Sequence, residues 1–151
     1  MLFSKAKRVV KRILIVEDEA LVAFDNETML AEEGYEVVAT VDKYADAIET
    51  LDREQVDLIL CDVRLHGDRT GIDLAKEACK RGIPVMFATG NVPPDAASMA
   101  IGCLLKPYNP LTLKAALESV NRHLAGKRPK PPKGMIIYPR PPAPSEDQSA
   151  T

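Results

Sequence analysis

Short apolar runs alternate with longer amphipathic stretches along most of the chain. Ile13-Leu14-Ile15-Val16 is aliphatic and mostly β-branched, and three acids, Glu17, Asp18 and Glu19, follow it at once. The stretch from Ala20 to Glu33 reads as a helix closed by Gly34, since glycine is favoured just past a helix end. Tyr35 to Thr40 predicts a second strand and Tyr44 to Arg53 a second helix. Asp57 to Asp62 is a third strand, Ile72 to Arg81 a third helix stopped by Gly82, Pro84 to Ala88 a fourth strand and Cys103 to Leu105 a fifth. Asn109 is placed to cap a last helix, with Pro110 in the first turn, where its missing N–H costs nothing. In that helix Leu113, Leu117, Val120 and Leu124 form a stripe that would face a sheet.

The predicted strands are apolar throughout instead of alternating, which marks a parallel sheet covered on both faces. Strand–helix alternation with right-handed crossovers then gives an open α/β layer structure. The segment between Gly90 and Gly102 fits this pattern poorly. It contains Pro93 and Pro94 and little periodicity, so a fourth helix there is expected to be short or irregular.

Composition narrows the class. A chain of 151 residues, 46% hydrophobic and 28% charged, has the make-up of one soluble domain with short flanks. No run approaches the roughly 20 apolar residues of a membrane span, and the basic start lacks the apolar core of a signal peptide. Cys61, Cys79 and Cys103 are far apart and show no CxxC spacing, so they read as core thiols in a reducing cytoplasm. Charge is unevenly spread: residues 1–12 carry five cations and no acid, whereas residues 13–125 carry a net −10. An acidic body argues against wrapping nucleic acid and suits a divalent cation or a basic partner. Seven of the 12 prolines lie between Pro129 and Pro144. The expected organisation is a basic extension over 1–11, a folded domain over 12–125 and a proline-rich, disordered tail over 126–151. The island Met135-Ile136-Ile137-Tyr138 within that tail reads as an extended segment, resting on the body or on nothing, or as a docking peptide for a partner.

In open parallel sheets, ligands bind beyond the carboxyl ends of the strands. The residues at those ends are Glu17, Asp18 and Glu19 after the first strand, Asp62 at the end of the third, Thr89 after the fourth and Lys106 after the fifth, followed by Pro107. Each has an ordinary explanation as a cap, a turn residue or a surface residue. Gathered at one edge, however, the carboxylates repel one another unless a cation sits among them or one is protonated. An oxygen-only cluster suits Mg²⁺. Mg²⁺ beside a carboxylate, a hydroxyl and an ammonium describes a phosphoryl-transfer site, with Asp62 as nucleophile, Lys106 neutralising charge and Thr89 donating a hydrogen bond.

The runs ILIVEDE, LILCDVRLHGDRTGIDLA, PVMFATG and CLLKPY, in that order, resemble the receiver domain of bacterial two-component response regulators over residues 12–125. The resemblance implies a doubly wound (βα)₅, flavodoxin-like fold with sheet order 2-1-3-4-5. It implies Asp62 as the phosphoacceptor, with the phosphoryl group coming from the phosphohistidine of a sensor histidine kinase or a histidine phosphotransfer protein. It implies Mg²⁺, with Mn²⁺ able to substitute, held by Asp18, Asp62 and the Arg64 carbonyl, with Glu17 nearby. Thr89 matches the switch hydroxyl and Lys106 the phosphate-contacting lysine, whose bond to Pro107 is often cis in such domains. The chain is thus expected to be a cytoplasmic, single-domain phosphoprotein. Its own chemistry would be limited to Mg²⁺-dependent self-phosphorylation and autodephosphorylation. With no second domain after Gly126, output would pass through protein contact or a phosphorelay, as shuttle or sink, and not through DNA.

Three departures qualify the resemblance. Cys103 stands where many receivers carry an aromatic, the span from Thr89 to Lys106 is a few residues short, and Phe87-Ala88-Thr89-Gly90 replaces the commoner strand ending. That last motif resembles a receiver subgroup working with HWE or HisKA2-type kinases. His66 reads as a solvated loop residue and His123 as surface or core-edge packing. Three competing readings are weaker. An aspartate-nucleophile phosphatase would need a second Asp where Arg64 stands. A receiver-like module that is never phosphorylated would not need the full acceptor set. A dinucleotide-binding fold would need a glycine-rich turn after the first strand.

Overall fold

The computed structural model describes residues 8–139. Strand β1 (Arg12–Val16) is followed by helix α1 (Ala20–Glu32), β2 (Glu36–Val41) by α2 (Tyr44–Arg53), and β3 (Leu58–Asp62) by α3 (Gly71–Lys80). After β4 (Val85–Thr89) comes a single 3₁₀ turn, Ala96–Ser98, and after β5 (Gly102–Leu105) comes α4 (Pro110–Leu124). A last strand, β6, spans Met135–Ile137. The sheet order is β2-β1-β3-β4-β5-β6, parallel from β2 to β5, with β6 antiparallel on β5.

The continuous apolar runs are explained by two cores, one on each face. Ile13, Ile15, Leu58, Leu60, Met86 and Leu104 pack with Leu30 of α1 and Leu113 and Leu117 of α4. The intervening residues Leu14, Val16, Ile59, Cys61, Val85 and Phe87 pack with Leu51 of α2 and Leu74 of α3. Successive side chains of a strand point to opposite faces, so a strand buried on both has no polar position to spare. Burying one such aliphatic side chain contributes about 2 kcal/mol. Exposed ion pairs such as Arg81–Asp52 and Arg53–Glu49 contribute under about 1 kcal/mol each. The two cores therefore dominate stability.

Local signals operate as the sequence suggests. Asn109 Oδ1 accepts from the Thr112 amide at 2.8 Å, with Pro110 in the first turn of α4. Gly34 and Gly82, which close α1 and α3, have φ of 89° and 74°, a backbone region that side chains disfavour. The two prolines after β4 leave only the three-residue 3₁₀ turn where a fourth crossover helix was in question.

Three sequence expectations need correction. The basic extension does not stay apart over its last residues: Val10 is fully buried and its amide donates to Asn121 Oδ1 at 2.8 Å, while Arg8 stacks 4.1 Å from the centre of the Tyr35 ring. The tail is not structureless up to residue 139. Met135, at 8% exposure, joins the α1–α4 core, and Tyr138 packs on the opposite core, so the apolar island supplies the burial that the surrounding prolines lack. Residues 1–7 and 140–151, assigned to the same flanks, lie outside the described residues. Cys61 and Cys103 are buried but Cys79 is exposed, because α3 buries the stripe Gly71, Leu74, Ala75 and Ala78 and turns position 79 outward.

Two glycines carry close contacts that order the elements around β3 and β5. A Cβ on Gly71 would lie 1.9 Å from the Asp62 carbonyl oxygen, so the start of α3 is pressed directly against the end of β3. A Cβ on Gly102 would lie 2.6 Å from the Ile136 carbonyl oxygen of β6. Gly71→Ala is expected to cost roughly 3 kcal/mol, because two rooted elements must separate. Gly102→Ala should cost roughly 1 kcal/mol, because a three-residue edge strand can give way. Urea unfolding monitored by circular dichroism ranks the two.

Candidate functional site

Parallel pairing fixes which strand ends meet. Val16 pairs with Cys61, and Asp62 with Ala88, so the residues just past β1, at the end of β3 and at the end of β4 share one edge. Thr89 pairs with Leu105, which brings Lys106 to the same edge from β5. The Lys106–Pro107 peptide bond is cis.

Glu17 and Asp62 are buried, at 4% and 8% exposure, and Asp18 sits beside them half-buried. One carboxylate oxygen from each of the three lies within 4.8 Å of the others. Lys106 Nζ donates to Glu17 Oε1 at 2.8 Å and to Asp62 Oδ2 at 3.2 Å. The other Asp62 oxygen, Oδ1, accepts from the Arg64 amide at 3.2 Å, and Glu17 Oε2 accepts from the Glu19 amide at 3.1 Å. A single ammonium thus bridges two buried carboxyl groups whose remaining oxygens are tied to backbone.

The charges sort themselves accordingly. Burial pushes the Glu17 carboxyl up to about 7, against the opposing pull of Lys106. Burial also disfavours the charged form of Asp62, but the neighbouring Glu17 carboxyl, the hydrogen bond from the Arg64 amide and the charge of Lys106 outweigh it and hold Asp62 below the usual carboxylate range. Burial opposes the charge on Lys106, yet its bonds and attraction to Glu17 and Asp62 win and raise it. Near neutrality, Glu17 therefore competes for a proton while Asp62 stays ionised. That is the signature of a carboxylate cluster short of positive charge.

A divalent ion would supply that charge. The donor set consists of hard carboxylate oxygens close enough to share one ion, which fits Mg²⁺ or Mn²⁺ and not a thiolate-seeking metal. Arg64 lies against the cluster through its amide. The site residues expected from sequence are not all engaged in the same way. Glu17, Asp18, Asp62 and Lys106 converge, whereas the Thr89 hydroxyl turns to its own loop, donating to the Asn91 carbonyl at 2.9 Å and accepting from the Asn91 amide at 3.1 Å. His66 is exposed, and its amide ties the β3–α3 loop to the Asp42 carbonyl at 3.2 Å.

One polar pair at this edge escaped the sequence reading. Asn26 of α1 is 5% exposed, and its side-chain amide bonds the Tyr108 hydroxyl, with Nδ2 and Oδ1 at 2.9 Å and 3.2 Å from it. The available signal was an asparagine on the buried stripe Ala23, Asn26, Leu30, where a polar side chain needs a specific partner.

The family model for the response regulator receiver domain matches residues 13–118. Among curated proteins, the chain is 37% identical over 116 residues to the transcriptional regulatory protein PdtaR of Mycobacterium tuberculosis, covering 73% of this chain and 56% of that relative. Among solved structures, it resembles the response regulator PhyR from Brucella abortus, with a TM-score of 0.68, 27% identity, and coverage of 82% of this chain and 53% of PhyR. It also resembles SdrG from Sphingomonas melonis, with a TM-score of 0.61, 32% identity, and coverage of 72% of this chain and 93% of SdrG. The chain spans about half the length of the curated relatives it matches. No helix among the described residues is long and apolar enough to cross a membrane. With the parallel sheet order, the acidic cluster and the bridging lysine all in place, the chain belongs to the response regulator receiver domain family.

Proposed function

We propose that this chain acts as a response regulator that accepts a phosphoryl group on Asp62 and signals from the cytoplasm through protein contact or a phosphorelay. The observation that supports this reading most directly is the Asp62 carboxylate, ionised and held at the edge of the sheet by Lys106 and the Arg64 amide. An ionised oxygen is a nucleophile, and a neighbouring ammonium meets charge that develops during transfer.

In the proposed reaction, an Asp62 oxygen forms a bond to phosphorus as the bond from phosphorus to a histidine nitrogen of the donor breaks. The nitrogen keeps that electron pair, and the aspartate becomes an acyl phosphate. The donor is a sensor histidine kinase, of HWE or HisKA2 type on the Phe87-Ala88-Thr89-Gly90 motif, or a histidine phosphotransfer protein. Glu17, Asp18 and Asp62, with the Arg64 carbonyl implied by family resemblance, would hold Mg²⁺, which neutralises the phosphoryl oxygens when bound. Lys106 shifts its ammonium from the carboxylates toward the new phosphate. For Thr89 to donate to a phosphate oxygen, its hydroxyl must first release the Asn91 carbonyl. The β4–β5 end of the site thus has two arrangements, and the phosphate favours one by differential contact. The charge asymmetry of the chain and the acidic body disfavour direct nucleic-acid binding.

Incubation with Mg²⁺ and acetyl phosphate should give the wild-type chain an acid-stable, base-labile phosphate, seen as a single added phosphate by intact mass spectrometry. Asp62→Asn should stay unlabelled, and equal labelling of that variant would move the acceptor elsewhere. Asp18→Asn should weaken Mg²⁺ binding at least about tenfold by calorimetry, since even second-sphere changes at metal sites cost that much. Its melting temperature should not fall, because the half-buried Asp18 carries no core packing.

A further inference from the structure

We propose that Asn26 and Tyr108 are positioning residues that set where Lys106 stands, and with it the affinity of the site for a phosphoryl group. This rests on the phosphoacceptor reading of Asp62 and adds two residues outside the site to it.

Lys106 has few anchors of its own. It follows the last residue of β5, and its side chain reaches across to β1 and β3, toward Glu17 and Asp62. Its amide donates to the Thr89 carbonyl at 2.9 Å, which fixes the backbone on the β4 side. On the other side lies open space: a groove of about 410 Å³ runs between α1 and the loop after β5, lined by Glu19, Val22, Met29, Lys106 and Pro107 among others. Beside such a space the loop is held by the packing of the Tyr108 ring on the α1–α4 core, which leaves the hydroxyl end to be placed by a polar partner. The same groove is lined by Asn26 of α1, whose buried amide is bonded to the Tyr108 hydroxyl two residues beyond Lys106.

The pair closes a ring. Glu17 leads within a few residues into α1, which carries Asn26; Asn26 bonds Tyr108; Tyr108 is joined through Pro107 to Lys106; and Lys106 returns to Glu17 at 2.8 Å. The β1–α1 and β5–α4 loops are thus braced twice, by an ion pair inside the site and by a neutral pair outside it. The inner brace must open when Lys106 turns to a phosphate, because its ammonium then leaves Glu17. The outer brace involves neither charge nor site oxygen and stays closed. The Lys106 amide bond to Thr89 and the Leu105 amide bond to Gly134 hold the strand end, and beyond it the outer pair keeps the loop that carries Lys106 in register while the inner contacts are exchanged. The cost of placing an asparagine on the buried stripe of α1 is understandable on these terms, since an apolar residue would fill the same stripe and leave the Tyr108 hydroxyl without its partner.

The test separates the anion from the metal. Mg²⁺ binding alone, and then binding of beryllium trifluoride in the presence of Mg²⁺ as an acyl-phosphate mimic, are measured on the full chain for wild type, Asn26→Ala and Tyr108→Phe. Tyr108→Phe removes one hydroxyl and keeps the ring, so it reads the bond even where Asn26→Ala loosens α1. The expected result is a roughly tenfold loss of beryllium trifluoride affinity with Mg²⁺ affinity unchanged. Parallel losses of both affinities would reduce the pair to a general support of the fold. No loss of either would overturn the proposal outright. A wild-type chain that binds Mg²⁺ but no beryllium trifluoride would instead bring down the phosphoacceptor reading, and the positioning role with it.

Discussion

Carboxylates crowd together at the edge of this sheet, and one ammonium holds them there. Glu17 and Asp62 are almost fully buried, one just past β1 and the other at the end of β3, so nothing in the chain between them forces their approach. Two like charges within 4.8 Å of one another in a poorly solvated place repel strongly. Lys106 offsets that repulsion by bonding both, while burial above all, with a smaller part from Asp62, keeps the Glu17 carboxyl raised. The site is thus stable as it stands, but only with a proton or a further cation to complete its charge. That incompleteness is what makes the edge responsive to Mg²⁺ and to phosphate, which alter the balance in opposite directions.

The sheet makes this arrangement affordable. Strand order reverses at β1, which lies between β2 and β3, so the crossovers after β1 and after β3 leave on opposite faces and a crevice opens between them. Acids placed there point into the crevice instead of into either core. The rigidity behind them comes from strands buried on both faces, and from α3 pressed against the Asp62 carbonyl at Gly71. A residue larger than glycine at that contact would push the acceptor out of line with Lys106. The site therefore depends on a helix start that touches none of the reacting atoms.

Much of this is legible in the residues. Continuous aliphatic runs identify a doubly covered parallel sheet, and from that the strand-end residues follow as neighbours; Glu17, Asp18, Asp62 and Lys106 meet as the spacing suggests. What is not legible depends on side chains whose partners are distant in sequence. Asn26 and Tyr108 are 82 residues apart, and a single polar residue on a helical stripe does not name its partner. The direction of the Thr89 hydroxyl is likewise hidden, because it is decided by the backbone of Asn91 and not by the residue type. Composition misled over residues 126–139, where four prolines and four cations read as a tail but four apolar residues decide the structure.

Those four residues also account for the unusual start of β5. The short stretch after β4 yields only a 3₁₀ turn, which leaves the β5 edge without a helix to flank it, and a bare strand edge invites pairing. β6 takes that edge, and its alternation serves both faces: Met135 and Ile137 go to one core, Tyr138 to the other, and Ile136 toward solvent. Two of the three β5 residues opposite it, Gly102 and Cys103, are correspondingly small. Gly102 lets the Ile136 carbonyl come close, and Cys103 receives the Tyr138 hydroxyl on its sulfur at 3.4 Å. Cys103 is the position where many receivers are expected to carry an aromatic ring, and here the ring arrives from another segment. The Leu105 amide, one residue before Lys106, donates to Gly134 at the foot of β6, while the Lys106 amide donates to Thr89 on the other side. The backbone that carries the lysine is therefore strung between the end of β4 and the C-terminal strand, so any shift of Lys106 toward a phosphate must be shared with both.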